Sequence, residues 1–265
     1  MKKFRFFILT LMVAFWSISC TRIDCSEPPI HKNYNQMTGF NALDVSHAFE
    51  VNLIPSDYES VELEIAPDAE KYVVVQQKGG TLYIGMKNGY SYKFVHHRGD
   101  CGLKAIVHFK EMRQVKASGA SEVDIEGLYD ASNQNMKISL SGASSFDGMV
   151  QNVGNLNVSL SGASSLEGEM LNVNRLVAGL SGASEMELKG SGNDADIELS
   201  GASEVEMYEF PVKNFEGSLS GASDAYLTVT ETFSATASGA STIRVKGHPK
   251  VLKANTSGAS NIEFE

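Results

Sequence analysis

The chain has 265 residues, with 22 Lys and Arg against 32 Asp and Glu and a formal net charge of -10. This sign excludes nucleic acid as a partner, since phosphate contacts need basic side chains. A hydrophobic content of 42% suits one elongated domain or two small ones.

Residues 1–19 carry Lys2, Lys3 and Arg5, then the apolar run Phe6 to Ile18, and end on Ser17-Ile18-Ser19 before Cys20. The run is too short to cross a bilayer, so the segment reads as a signal peptide. The small residue before Cys20 makes a loose lipobox, with Cys20 as the lipidated first residue of the mature chain; the alternative is an ordinary cleaved signal. Loss of the three basic residues takes the charge from -10 to -13. No second apolar run of spanning length follows, so a lipid is the only membrane anchor expected. Thr21 rather than Asp follows Cys20, which argues against inner-membrane retention and for an outer-membrane lipoprotein of the cell envelope, on either leaflet.

Residues 20–38, with Pro28-Pro29, are expected to form the tether from the lipid. An exported location permits a disulfide between Cys25 and Cys101, while a place in a tether favours leaving Cys25 free; both stay open.

Residues 39–117 read as β-rich, with strands at Leu43 to Val45, Phe49 to Ile54, Val61 to Ile65, Thr81 to Met86 and Leu103 to Phe109. Pro67 to Val75 is expected as a short helix with Pro67 early in it. The section should cap one end of the stack that follows. Its last loop holds His96 and His97 near Cys101 and His108, at spacings that fit no zinc pattern, so no metal site is assigned. The same loop contains Arg98-Gly99-Asp100, the tripeptide of integrin ligands, which is a weak signal because so short a match arises by chance.

From residue 118 to 265 a repeat dominates. Ser-Gly-Ala-Ser begins at Ser118, Ser141, Ser161, Ser181, Ser200, Ser220, Ser238 and Ser257, at intervals of 18 to 23 residues. Five residues after each first serine stand Val123, Phe146, Leu166, Met186, Val205, Ala225, Ile243 and Ile262. Leucines precede most copies, with polar residues between, so the period is two on both sides of the turn: strand, turn, strand, with one face buried. One such unit cannot bury its own apolar face, so the copies must stack. A 20-residue coil has a perimeter near 60 Å, and eight coils rise about 38 Å. The turn glycines Gly119, Gly142, Gly162, Gly182, Gly201, Gly221, Gly239 and Gly258 supply backbone freedom at the corner, while the serines bond to neighbouring coils or cap the turn. Two tetrapeptides per forty-residue coil would also satisfy the pattern; one per coil is the simpler stack.

A serine repeated at every turn is a ladder rather than a nucleophile, and none sits in a Gly-x-Ser-x-Gly elbow. A carbohydrate-active β-helix needs an acidic cluster beside a basic residue, and Arg113, Arg175 and Arg244 fall in no common register. No enzyme activity and no cofactor are therefore expected. Stacking in register would bring Asp124, Asp147, Glu167, Glu187 and Glu206 into one outward file about 4.8 Å apart, with Glu185 and Glu204 beside it. The plain reading is a solvated face. The sharper one is weak calcium binding, or docking of a basic partner, at Glu185, Glu187, Glu204 and Glu206.

The segment Phe40-Asn41-Ala42-Leu43-Asp44-Val45, then Phe49-Glu50-Val51, then Gly80-Thr81-Leu82-Tyr83-Ile84 and a train of Gly-Ser turns behind a lipoprotein signal resembles the auto-transporter adhesin head, or GIN, domain family, over about residues 39 to 265. Family turns are often Gly-Ser-Gly, where this chain has Ser-Gly-Ala-Ser. The resemblance implies an all-β, right-handed parallel β-helix of the pectin-lyase-like kind and a role in cell adhesion. The partners then expected are a host or bacterial surface protein or glycan, or further copies of the chain. It carries over no catalytic residue. A structural or sensory envelope protein without an external ligand is the other non-enzymatic reading.

Overall fold

The computed structural model describes residues 20–95 and 102–265. The expected signal peptide and the loop residues His96, His97, Arg98, Gly99, Asp100 and Cys101 lie outside the described residues.

The chain opens with strand β1 (Cys20–Asp24) and β2 (Ile30–Asn33), followed by β3 (Ala42–Val45), β4 (Glu50–Pro55) and β5 (Ser60–Ile65). After a single 3-10 turn at Pro67–Ala69 come β6 (Val73–Lys78), β7 (Thr81–Met86), β8 (Ser91–Val95), β9 (Leu103–Phe109) and β10 (Gln114–Ala117). Two expectations are corrected here. Residues 20–38 are not a loose tether, because β1 pairs parallel with β8 and β2 pairs antiparallel with β5. The short helix at Pro67 to Val75 shrinks to one 3-10 turn, and Val73–Lys78 becomes a strand antiparallel to β7. Three adjacent β-branched valines favour that outcome. Cys25 is buried at the end of β1 and is disulfide-bonded, whereas Cys20 is free and exposed.

The repeat section comprises β11 (Glu122–Asp130), β12 (Met136–Leu140), β13 (Ser145–Leu160), β14 (Ser165–Leu180), β15 (Glu185–Leu199), β16 (Glu204–Leu219), β17 (Asp224–Ala237), β18 (Thr242–Lys246), β19 (Lys250–Thr256) and β20 (Asn261–Phe264). Every pairing within it is parallel. Ser145 lies against Ser165, Ser165 against Glu185 and Glu185 against Glu204, so each coil carries one tetrapeptide. The fold is a β-solenoid of stacked coils with a continuous apolar interior.

The coil from Ser145 to Ser164 shows how sequence sets its shape. Buried residues step by two along Phe146, Gly148 and Val150, and again along Leu156, Val158 and Leu160. Between these runs the steps to Val153 and on to Leu156 are three residues long, which places a bend at each. Asn152 and Asn172 take positive φ at the first bend (54° and 58°), a conformation that asparagine tolerates better than most residues. The Asn172 side-chain amide donates to Asn152 Oδ1 at 3.2 Å, and that of Asn152 to Asp130 Oδ2 at 3.1 Å.

At the tetrapeptide corner the two serines divide the work. The first donates to the coil before it, as Ser181 Oγ does to Leu160 O at 3.4 Å. The last is buried in each of the seven copies from Ser121 to Ser241. Its hydroxyl closes its own turn, as from Ser164 Oγ to Ser161 O at 3.1 Å. Ser164→Ala should therefore lower stability by about 1 kcal/mol, the usual cost of one such bond. Equal urea midpoints for variant and parent would show that the bond contributes nothing.

The stack does not stop at the first Ser-Gly-Ala-Ser. β10 and β11 pair in register with β3 and β4, and these in turn with β7 and β9. The N-terminal section thus supplies further rungs of the solenoid as well as the antiparallel strands that flank them. Between β3 and β4, Ser46-His47-Ala48-Phe49 turns the same corner without glycine, His47 and Ala48 holding φ of 68° and 60°. The rung beneath this corner is the straight strand β7. Its Gly85 leaves room for the Ser46 hydroxyl and the His47 imidazole, which accepts from Met86 N at 3.4 Å.

Candidate functional site

Alternation fixes which side chains leave the core. Val123 and Phe146 point inward, so their neighbours Glu122, Asp124, Ser145 and Asp147 point outward. The register then stacks Asp124, Asp147, Glu167, Glu187 and Glu206 in one unbroken file, continued by Tyr226, Arg244 and Glu263. Two positions earlier, Glu50, Glu122, Ser145, Ser165, Glu185, Glu204 and Asp224 form a second file. The small side chains of Ser145 and Ser165 open a floor between the files. Glu122 and Glu185 close its ends, and Asp124, Asp147, Glu167 and Glu187 wall one side of a groove of about 360 Å³.

No basic or histidine residue lines this groove. Arg113 pairs with Glu111, Arg175 with Asp196 at 3.2 Å and Arg244 with Glu263 at 3.2 Å, all elsewhere. The basic side chain next to the groove is Lys189, which pairs with Glu187 at 3.0 Å.

Crowding of like charges perturbs the groove unevenly. The Asp124 carboxyl is pushed up to about 6, first by desolvation and then by Glu122, Asp147, Glu50 and Glu126. Glu204 is raised in the same direction by desolvation and by Glu185, Glu206 and Asp224.

The quartet singled out from the sequence is therefore split. Glu185 and Glu187 line the groove, while Glu204 and Glu206 continue the files beyond it. Glu50 was missed as a partner of Asp124, because it belongs to no repeat copy and reaches the file only through the pairing of β4 with β11. Among the described residues no three acidic, histidine or cysteine side chains converge to hold a metal ion.

Cys20, the expected lipid attachment point, stands exposed at the start of β1. No helix among the described residues is long and apolar enough to cross a membrane.

The sequence profile of the family described as "Putative auto-transporter adhesin, head GIN domain" matches residues 39–249. No curated protein matches the chain significantly. Among solved structures, a "putative adhesin" from Parabacteroides distasonis superposes with a TM-score of 0.82 at 18% identity, covering 92% of this chain and 100% of that one. A "putative lipid binding protein" from the same organism gives a TM-score of 0.77 at 18% identity, with 92% and 100% covered. A "putative adhesin" from Parabacteroides merdae gives 0.72 at 18% identity, with 92% and 99% covered. At these identities the likeness establishes the fold.

Proposed function

We propose, the chain belonging to the auto-transporter adhesin head GIN domain family, that it is a non-enzymatic adhesion module of the cell envelope, held to the outer membrane by a lipid on Cys20. Its acidic groove docks a basic segment of a partner surface protein. The observation that carries this reading is the groove walled by Asp124, Asp147, Glu167 and Glu187, with no positive side chain lining it.

Unit charges this close repel by about 1 kcal/mol per neighbouring pair even in water. A lysine- or arginine-rich strand laid along the files relieves several such contacts together. A neutral glycan relieves none, which favours a protein partner. Binding of this kind is strongly salt-dependent, because complementary charge acts largely through the encounter rate.

The test uses a fluorescent lysine-rich peptide and the triple variant Asp124→Asn/Asp147→Asn/Glu167→Gln. The parent should bind at low salt and weaken about tenfold on moving to physiological salt. The variant should melt no lower than the parent and bind at least about tenfold more weakly. On cells displaying the chain, it should also reduce attachment to a surface coated with a basic protein. Undiminished peptide binding and attachment by the variant would remove the groove from the function.

A further inference from the structure

The lipid-bearing position has no leash. Cys20 is the first residue of β1, lies in register with Ser91 of β8, and accepts from the Ser91 hydroxyl at 3.9 Å. A lipid attached there brings this end of the two-stranded sheet to the bilayer surface, and the residues around it must meet the headgroups.

Those residues suit that setting. Tyr72, Tyr90 and Tyr92 form a cluster with ring centroids 5.5 to 6.0 Å apart, in which Tyr90 is 52% exposed while Tyr72 and Tyr92 are half-buried against the core, Tyr92 on the face of β8 opposite Cys20. The Tyr92 hydroxyl donates to Lys87 O at 2.7 Å, which ties the cluster to the turn before β8. Arg22 and Lys93 stand in register on the outward face that also carries Cys20. Residues 86–95 include Lys87 and Lys93 and no carboxylate, in a chain whose net charge is -10. The acids close by are Asp24, on the same face of β1 as Arg22; Glu27; Asp68, which accepts from Asp24 N and from Lys71; and Glu70, which pairs with Lys32.

Tyrosine rings prefer the boundary between hydrocarbon and water, where the ring is sheltered and the phenol hydrated. Arginine and lysine beside them reach toward anionic headgroups while their stems stay on apolar surface. We infer that Tyr90, backed by Tyr72 and Tyr92, forms with Arg22, Lys87 and Lys93 a seat on the membrane interface, so that the folded body rests directly on the headgroups. This rests on the reading of Cys20 as the lipidated residue, and the experiment separates the two.

The chain from Cys20 to Glu265 contains no tryptophan, the only one being Trp16. Tyr90→Trp, or Lys87→Trp as a second probe in the same patch, therefore gives a single reporter. The purified variant is coupled through the Cys20 thiol to a maleimide-headgroup lipid in vesicles of phosphatidylcholine with one-fifth phosphatidylglycerol, some of whose headgroups carry a nitroxide quencher. Tyr208→Trp, on β16 and five rungs beyond β4, about 24 Å further along the stack, serves as the distant control. Both patch probes should be quenched at least threefold more than the control. Arg22→Ala/Lys93→Ala, added to the patch probe, should reduce the difference. Equal quenching at patch and control overturns the seat. The chemical anchor makes this result independent of cellular lipidation, which is read separately as palmitate incorporation in the parent and its absence in Cys20→Ser.

Discussion

Replacing Gly162 by valine is expected to lower stability by about 3 to 5 kcal/mol, whereas Ser165→Thr stays within about 0.5 kcal/mol. Gly162 has φ of +83°, a conformation that β-branched side chains scarcely adopt, and a Cβ there would stand 2.6 Å from Gly142 O. That oxygen is not free to move, since it accepts from Ala163 N at 2.7 Å. The same bond joins each corner to the next through the stack, from Ala143 to Ala259, at 2.7 to 2.8 Å. Valine thus adds backbone strain to a collision with a bonded carbonyl, and relief at one corner disturbs two coils. Ser165 sits on the exposed face of β14, where an extra methyl meets solvent. Urea denaturation of the two variants with unchanged slope would measure the difference. Equal midpoints would mean that the corner does not bear on stability.

Acidification from pH 8 to pH 5 is expected to stabilise the protein, against the common tendency for stability to peak closer to neutrality. The Asp124 carboxyl is raised from 3.8 to about 6 in the folded state, so the native state binds the proton more tightly than the unfolded chain. Stability therefore falls as pH rises through that window, and the ionised carboxylate is a cost at pH 8 that is absent below about 4. A rise of this size corresponds to about 3 kcal/mol. Solvent around a partly exposed group reduces the expectation to about 1 to 2 kcal/mol. Glu204 acts in the same direction. Asp130 and Asp68 oppose it, since hydrogen bonds hold both below the ordinary carboxylate range and their contribution disappears only as pH falls through 3.8 and below. The melting temperature should accordingly pass through a maximum between about pH 4 and 5. Asp124→Asn should match the parent only below about pH 4 and exceed it by several degrees at pH 8. If the parent melts higher than the variant at pH 8, the carboxyl is not under the repulsion inferred.

The repeats were legible because two signals coincide in them: a fixed tetrapeptide and a strict period of two on either side. Together these specify inward and outward positions, and with them the file from Asp124 to Glu206. The N-terminal section lacks such redundancy. Thr81–Met86 and Leu103–Phe109 coincide with expectation because each is an apolar run between turn residues. β1 and β2 were hidden because Pro28-Pro29 and polar neighbours read as a linker, and only pairing with β8 and β5 makes them strands. The corner at Ser46-His47-Ala48-Phe49 was missed because it has no glycine. The perturbation of Asp124 was missed for a related reason: Glu50 lies 72 residues before Glu122, its partner in the adjacent rung.

The two edges of the coil stack carry different freedoms. At the tetrapeptide corner every pairing proceeds without interruption, whereas most register shifts fall past the first straight face, between Ile125 and Leu128, Met170 and Val173, Glu187 and Asp194, Met207 and Val212, and Val212 and Asn214, with one more between Phe233 and Ser234 on the second face. Intervals of 18 to 23 residues between corners are absorbed there. For the gene, this divides the coil into a spine that must be copied faithfully and a margin where insertions and deletions leave the neighbouring coils in step. A lineage can therefore vary what it displays along one margin of the rod, or gain and lose whole coils, while the spine keeps its alignment.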